Sequence, residues 1–317
     1  MKLHLLNPRE RIVETTVGLF AHADYPLAHS LDHKGDPGLF GPGSSTWRVI
    51  GDVSAMIGGI RALLIQTAHP EVVAGVADHS EYREDPLGRL SRTTAYVTAT
   101  AYGAVPEVEA ALDTVRVAHR PVQGVSERGG PYSAGDGAHA SWVHNVLVDS
   151  FLTAYQTFSR SPINEVAADR FVAEQADLGR RLRATDTPMT RNELSHWIVS
   201  HPHIAPSDAM HDIVEFLSRP PLPRAALVGY RRLFAAAVGT IPVPIREILG
   251  VSAGAGAVSV GRKTMALLRW SLGGSPSWLL ALDRTDAPPP RDIVFRRPPP
   301  MDGGDDVLAR WQRRTQH

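Results

Sequence analysis

From position 45 onward, apolar residues recur mostly at intervals of three and four, the spacing of helices that bury one face, and alternating strand-like runs are scarce. The stretch STWRVIGDVSAMIGGIRALLIQTA predicts one helix capped at Ser45 or Thr46, with Gly58 and Gly59 either weakening it or marking close packing. A break is expected at His69-Pro70, because the residue before a proline is driven out of the helical region. Pro70 suits the first turn of the next helix, over EVVAGVADHSEY. Asp85 and Pro86 supply the cap and first position of another that runs to Gly103. A further helix starts near Pro106 and stops at His119, Arg120 and Pro121.

The loop QGVSERGGPYSAGDG, 123–137, is dense in Gly and Ser and is expected to cover a cleft. After it comes the longest amphipathic stretch, AHASWVHNVLVDSFLTAYQTFSR, where Val143, Leu147, Phe151, Ala154 and Phe158 share a face. Thr190 and Glu193 form a capping box, and helical patterns continue over 207–218 and 223–238. The predicted fold class is therefore all-α, a single large multi-helix domain over 45–285. An irregular N-terminal arm over 1–44, rich in turn formers, precedes it, and a proline-rich, charged tail with two triple-proline runs follows over 286–317.

Composition narrows what such a domain does. Its 317 residues are 43% hydrophobic, enough for a sizeable core. Lys plus Arg equals Asp plus Glu at 33 each, which argues against a nucleic-acid surface, since phosphate binding needs a basic excess or stripe. With no cysteine, thiolate nucleophiles, thiolate-held haem, iron–sulfur clusters and zinc–thiolate sites are all excluded. Any metal must be held by His, carboxylate or Tyr. The charges in MKLHLLNPRERIVE come too early for a secretory signal, so a cytoplasmic location is expected. No run has the roughly 18 apolar residues of a membrane span. Peripheral membrane contact through 248–261 or 270–282 stays open. GAGAVSVG follows no strand, GPGSS lacks the P-loop lysine, no G-x-S-x-G elbow at a strand-to-helix turn supports a nucleophilic serine, and H-E-x-x-H does not occur.

Three groups of residues could carry chemistry. His119 shares a stripe with Val108, Leu112 and Val115, so its ring follows what those residues bury; a hydrogen-bonded core histidine and a ligand are both open readings. His144 shares an apolar sector with Leu147, Val148 and Phe151, while Asp149 lies off that face. That pattern suits one axial ligand better than a two-histidine, one-carboxylate triad. Arg89, Arg92, Thr93 and Tyr96 occupy one side of a helix and could bind a carboxylate or a small polar ligand, or form a solvated basic face. The arm histidines His22, His29 and His33 are expected in a solvated loop.

Together, QTAHPEVVAGVADHSEYREDPLGRLSRTTAY, RVAHRPVQG and SWVHNVLVDSF resemble the haem-dependent oxygenase family that includes latex-clearing protein and the MpaB-type enzymes, over about residues 45–240. The resemblance implies an all-helical fold enclosing non-covalently bound haem b. It makes His119 of the R-x-x-H at Arg116 to His119 the proximal iron ligand, places Arg89, Arg92 and Thr93 on the distal side, and puts Arg116, Tyr96 and His144 in the cofactor pocket. His69 and His79 belong to the signature without a chemical role. Latex-clearing enzymes carry a lysine where this chain has Arg92, and Glu71 only approximates the position of their proposed base. The implied activity is oxidation of a hydrophobic small molecule by O2, with an electron donor left open. A small isoprenoid, lipid or secondary metabolite suits the chain better than rubber. The competing readings are a haem sensor or peroxidase-like protein, a non-haem hydrolase or dehydratase using His144, and a noncatalytic helical interaction protein.

Overall fold

The computed structural model describes residues 7–296; the second proline run and the end of the tail lie outside the described residues. Fourteen α-helices and one small hairpin make up most of what is described. The first helix, α1 (Pro8–Gly18), falls in the stretch expected to be irregular. Asn7 and Glu10 cap it reciprocally, at 2.9 and 3.0 Å, but Val13 is its one buried residue, so no apolar stripe announces it. Residues 21–44 hold one 3-10 turn and are otherwise irregular, yet they are pinned. Arg284, at the end of α14 (Pro276–Arg284), is fully buried and donates from Nε to the Asp36 carbonyl at 2.7 Å and from Nη1 to Ser30.

The single helix expected over 45–66 is two, α2 (Ser45–Ile50) and α3 (Ala55–Gln66), and its cap is Ser44, whose Oγ accepts the Trp47 N–H at 3.1 Å. Two interactions favour the break. Trp278 and Tyr102 press on Gly51, where an added Cβ would lie 2.4 Å from the indole. Asp52 turns its carboxylate to the Ser54 N–H at 2.9 Å, an alternative to the helical bond. Helices α4 (Pro70–His79), α5 (Pro86–Tyr102) and α6 (Val105–His119) follow as the spacing predicts. The Gly- and Ser-rich loop contains an antiparallel hairpin, β1 (Gln123–Val125) with β2 (Pro131–Ser133), in the register Gly124 opposite Tyr132. Strands of three residues are too short to show alternation. The hairpin lies on α4, with Tyr132 against Gly75.

Helix α7 (Gly137–Phe158) is the centre of the bundle. Leu147, Phe151, Ala154 and Phe158 face inward as expected, but Val143 is exposed, and Trp142, Val146 and Leu152 are buried on other sides. The helix is therefore enclosed over most of its circumference rather than amphipathic. It packs closely on α3 because Gly58 leaves room: a Cβ there would fall 2.7 Å from Phe151 Cδ1. Across this contact the buried Arg61 meets Asp149 at 2.6 Å and Ser150 Oγ at 2.8 Å. Around α3 and α7 stand α8 (Glu165–Arg181), α9 (Arg191–Val199), α10 (Asp208–Ser218), α11 (Arg224–Thr240), α12 (Val243–Leu249) and α13 (Ala257–Leu272). Among the described residues no helix is long and apolar enough to cross a membrane.

Candidate active site

Helices α5 and α6 are joined at Gly103 and Ala104, and near this turn they pack through Tyr96, Val108 and Leu112 onto Leu178 and Leu182 from the α8 region. The Tyr96 hydroxyl is buried there and has no hydrogen-bond partner among the described residues; burial pushes its pKa upward. It lines a small cavity with Ile50, Val97, Leu147, Phe151 and His144. That cavity holds about 20 Å³. Typical ligand pockets hold about 300 Å³ or more, so a large ligand requires the side chains here to part.

His144 faces α8. Its Nε2–H donates to the Gln175 carbonyl at 2.7 Å, and the ring is buried. Desolvation lowers its pKa to about 4, and the bond to Gln175 recovers only part of that. The ring fits because residue 179 is glycine; a Cβ there would sit 2.6 Å from His144 Cδ2. With the proton on Nε2, the Nδ1 lone pair is free to accept a hydrogen bond. Asp149 is turned away, toward Arg61, as its helical position predicted.

The other predicted residues lie at the open end of the α5–α6 pair. Arg89 is seven residues outward from Tyr96, and His119 is seven outward from Leu112, about 10 Å along each axis. Arg89 is half-buried, with no carboxylate or hydrogen-bond partner among the described residues. Burial lowers its pKa, and nearby Arg92 adds to the effect. Arg92 and Thr93 are exposed, and Arg92 is held by Asp85 at 3.0 Å. His119 is exposed on one side, yet enough protein packs around its ring for desolvation to hold its pKa below the ordinary value. Arg116 is tied to Asp113 at 2.6 Å and to the Arg181 carbonyl at 3.0 Å, which fastens α6 to α8. The structure thus brings Tyr96 and His144 together in one cavity, leaves Arg89, Arg92, Thr93 and His119 outside its lining toward the unjoined ends of α5 and α6, and gives Arg116 a bracing contact.

Residues 47–270, well over half of the chain, match the family model described as ER-bound oxygenase mpaB/B'/Rubber oxygenase, catalytic domain. The chain belongs to this oxygenase family. It is accordingly an enzyme, an oxidoreductase of the oxygenase kind. No curated protein and no solved structure matches it.

On the far side of α7 from His144, this oxygenase domain gathers four further imidazoles. His69 lies 5.3 Å, centre to centre, from both His139 and His201, and 5.8 Å from His203; Trp142 and Trp197 wall the group. The His69 pKa falls to about 3, through desolvation first and then the neighbouring imidazoles. Its Nδ1 lies 3.2 Å from Glu71 Oε2, an ion-pair distance without hydrogen-bond alignment. Sequence reasoning left His69 without a role and did not single out the other three. Their positions are scattered over more than 130 residues, and the one local signal is the H-P-H at His201 to His203. Among the described residues no such group stands in metal-holding geometry.

Proposed function

We propose that this domain is a b-type haem-dependent oxygenase or oxidase acting with O2 on a hydrophobic organic substrate, in which His119 would hold the iron and Arg89, Arg92 and Thr93 would line the substrate pocket. One observation carries the reading. At the unjoined end of the α5–α6 pair a partly buried guanidinium with no carboxylate partner among the described residues shares an axial level with an imidazole whose pKa desolvation lowers. Haem has the complementary groups, propionates for an unmatched cation and iron for a free imidazole lone pair. The unbonded Tyr96 hydroxyl, beside the apolar Leu147 and Phe151, fits the edge of the same ligand.

When bound, haem supplies a redox-active iron at which dioxygen is activated. The chain's own residues do the rest. His119 would hold the iron through a ring-nitrogen lone pair, and the protein packed against one side of the ring shifts its pKa in the direction that favours the neutral form. Arg89 balances a propionate or a substrate carboxylate. Arg92 stays protonated and has no lone pair for iron, so the lysine-type closure of latex-clearing enzymes is unavailable to it. Thr93 offers a hydroxyl to a polar substrate oxygen. Ile50, Val97, Leu147 and Phe151 exclude water beside Tyr96 and His144. His144 steadies that wall through Gln175.

The test is an absorption spectrum of the purified protein before and after haem loading, repeated for His119→Ala. A histidine-ligated signal is expected in the parent, and bound haem at least tenfold weaker in the variant, with unfolding unchanged. An identical spectrum and affinity in His119→Ala would sink the assignment. Products from a lipophilic substrate panel should form in air and not under anaerobic conditions.

A further inference from the structure

Helix α13 has two apolar sides. One, including Gly261 and Met265, is buried in the bundle, where Ala236 of α11 lies 2.5 Å from the Cβ position of Gly261. The other carries Val260, Lys263, Leu267 and Trp270 at spacings of three, four and three, which places them on one stripe. This stripe is bare: Val260 and Leu267 are 45% exposed and Trp270 is 47% exposed. A large indole left in water beside two aliphatic side chains marks an interaction surface rather than a scattered exposed residue.

Charge along the segment that holds the stripe is one-sided, while α1, which packs against α13 and α11, carries Arg9 and Arg11 against Glu10 and Glu14. Residues 219–272 contain seven arginines and one lysine against the single acid Glu247, whereas the whole chain is balanced at 33 and 33, so the rest is net acidic. Arg219 and Arg269 are paired, with Glu215 and Asp52. Arg224, Arg231, Arg232, Arg262 and Lys263 are exposed, with no carboxylate at ion-pair distance among the described residues. The α11 arginines are near the stripe because the two helices run antiparallel: Gly239, late in α11, faces Ala257 and Val258 at the start of α13. The amino-terminal half of α11 therefore lies beside the half of α13 that carries Leu267 and Trp270.

We infer that this side of α13 is a peripheral docking surface for an anionic lipid bilayer. Trp270, Leu267 and Val260 enter the headgroup layer, while Lys263, Arg262 and the α11 arginines reach lipid phosphates. The mixture fits a bilayer: indole favours the water–hydrocarbon boundary, and long cationic side chains keep their charge in the headgroups while their stems lie on apolar surface. A second copy of the chain fits poorly, because a two-fold contact centred on the stripe would set Lys263 and Arg262 against like charges. The inference rests on the surface alone, so it and the haem assignment can fail separately.

The experiment is sedimentation of the full chain with vesicles of phosphatidylcholine alone or with one quarter phosphatidylglycerol, for the parent, Trp270→Ala and Lys263→Glu. Binding to the anionic vesicles is expected to exceed binding to the neutral ones at least tenfold, and to fall as salt is raised. Each variant should lose binding several-fold with its melting temperature unchanged. Trp270→Phe should abolish a blue shift of indole emission on vesicle addition. Absence of parental binding, equal binding by the variants, or a concentration-dependent dimer that Trp270→Ala dissolves and vesicles leave intact would each overturn the proposal.

Discussion

The two imidazoles singled out by the sequence pattern sit in opposite surroundings. His144 is sealed between α7 and α8 with its Nε2–H on a backbone carbonyl, while His119 ends α6 exposed, with no hydrogen bond to its ring among the described residues. Desolvation lowers the pKa of both, but only His144 is fixed by its neighbours. A side chain that the fold has fixed is part of the fold's stability, and one left exposed and unbonded is available to a ligand. Changes on the sealed side should therefore unfold the protein, and changes around His119 should alter binding while leaving stability intact.

The largest effect is expected from Arg61→Ala. It strands the Asp149 carboxylate inside the α3–α7 contact and should cost about 3–5 kcal/mol, read as a lower urea midpoint with unchanged slope. A shift no larger than that of a surface variant would erase the distinction between the two regions. Acid comes next. The folded-state pKa of His144 is about 4, against the ordinary 6.5, so below pH 6.5 the unfolded chain takes up a proton that the folded chain refuses. Stability should therefore fall between pH 6.5 and 4, by about 3 kcal/mol from His144 alone, with His69 and His201 acting in the same direction. His144→Gln should flatten that slope; an unchanged slope would show that His144 is not what the acid limb reports.

Gly179→Ala sharpens the comparison from the other helix. Its Cβ would fall 2.6 Å from His144 Cδ2 and 2.9 Å from Nε2, so the ring must move off Gln175. The expected cost is about 1–3 kcal/mol, together with a further fall in the His144 pKa by NMR titration, because the carbonyl that favours its protonated form is lost. The smallest effect reverses sign. Tyr96→Phe removes a buried hydroxyl that has no partner, so the ligand-free protein should gain about 1 kcal/mol in thermal unfolding, while the haem-loaded protein should not. Equal changes in both forms would detach Tyr96 from the site.

Helices were legible wherever a cap or proline coincided with a change in spacing, as at Asp85 with Pro86, Thr190 with Glu193, and Gly103. They were misread where a tertiary contact outweighed the local pattern. Gly51 and Asp52 split a continuous apolar run because Trp278 presses on one and Arg269 pairs with the other. The hairpin was missed because three-residue strands show no alternation, and α1 because it buries only Val13 and carries no apolar stripe. Within the candidate site, the helical face of Arg89, Arg92, Thr93 and Tyr96 was readable, but the order of burial along it was not. Arg92 and Thr93 stand in solvent while the Tyr96 hydroxyl is enclosed, a gradient set by where α6 and α8 close over α5.

What the sequence determined by itself was periodic or compositional: helices, their caps, the absence of thiol chemistry, and motifs local enough to carry a family likeness. These follow from spacing along one chain, which side-chain geometry converts directly into faces. The tertiary structure alone decided which faces meet. It put His69, His139, His201 and His203 together from distant segments, gave His144 its carbonyl, and left Arg89 without a carboxylate. Burial and charge pairing are properties of packed neighbours, and no count along the chain contains them.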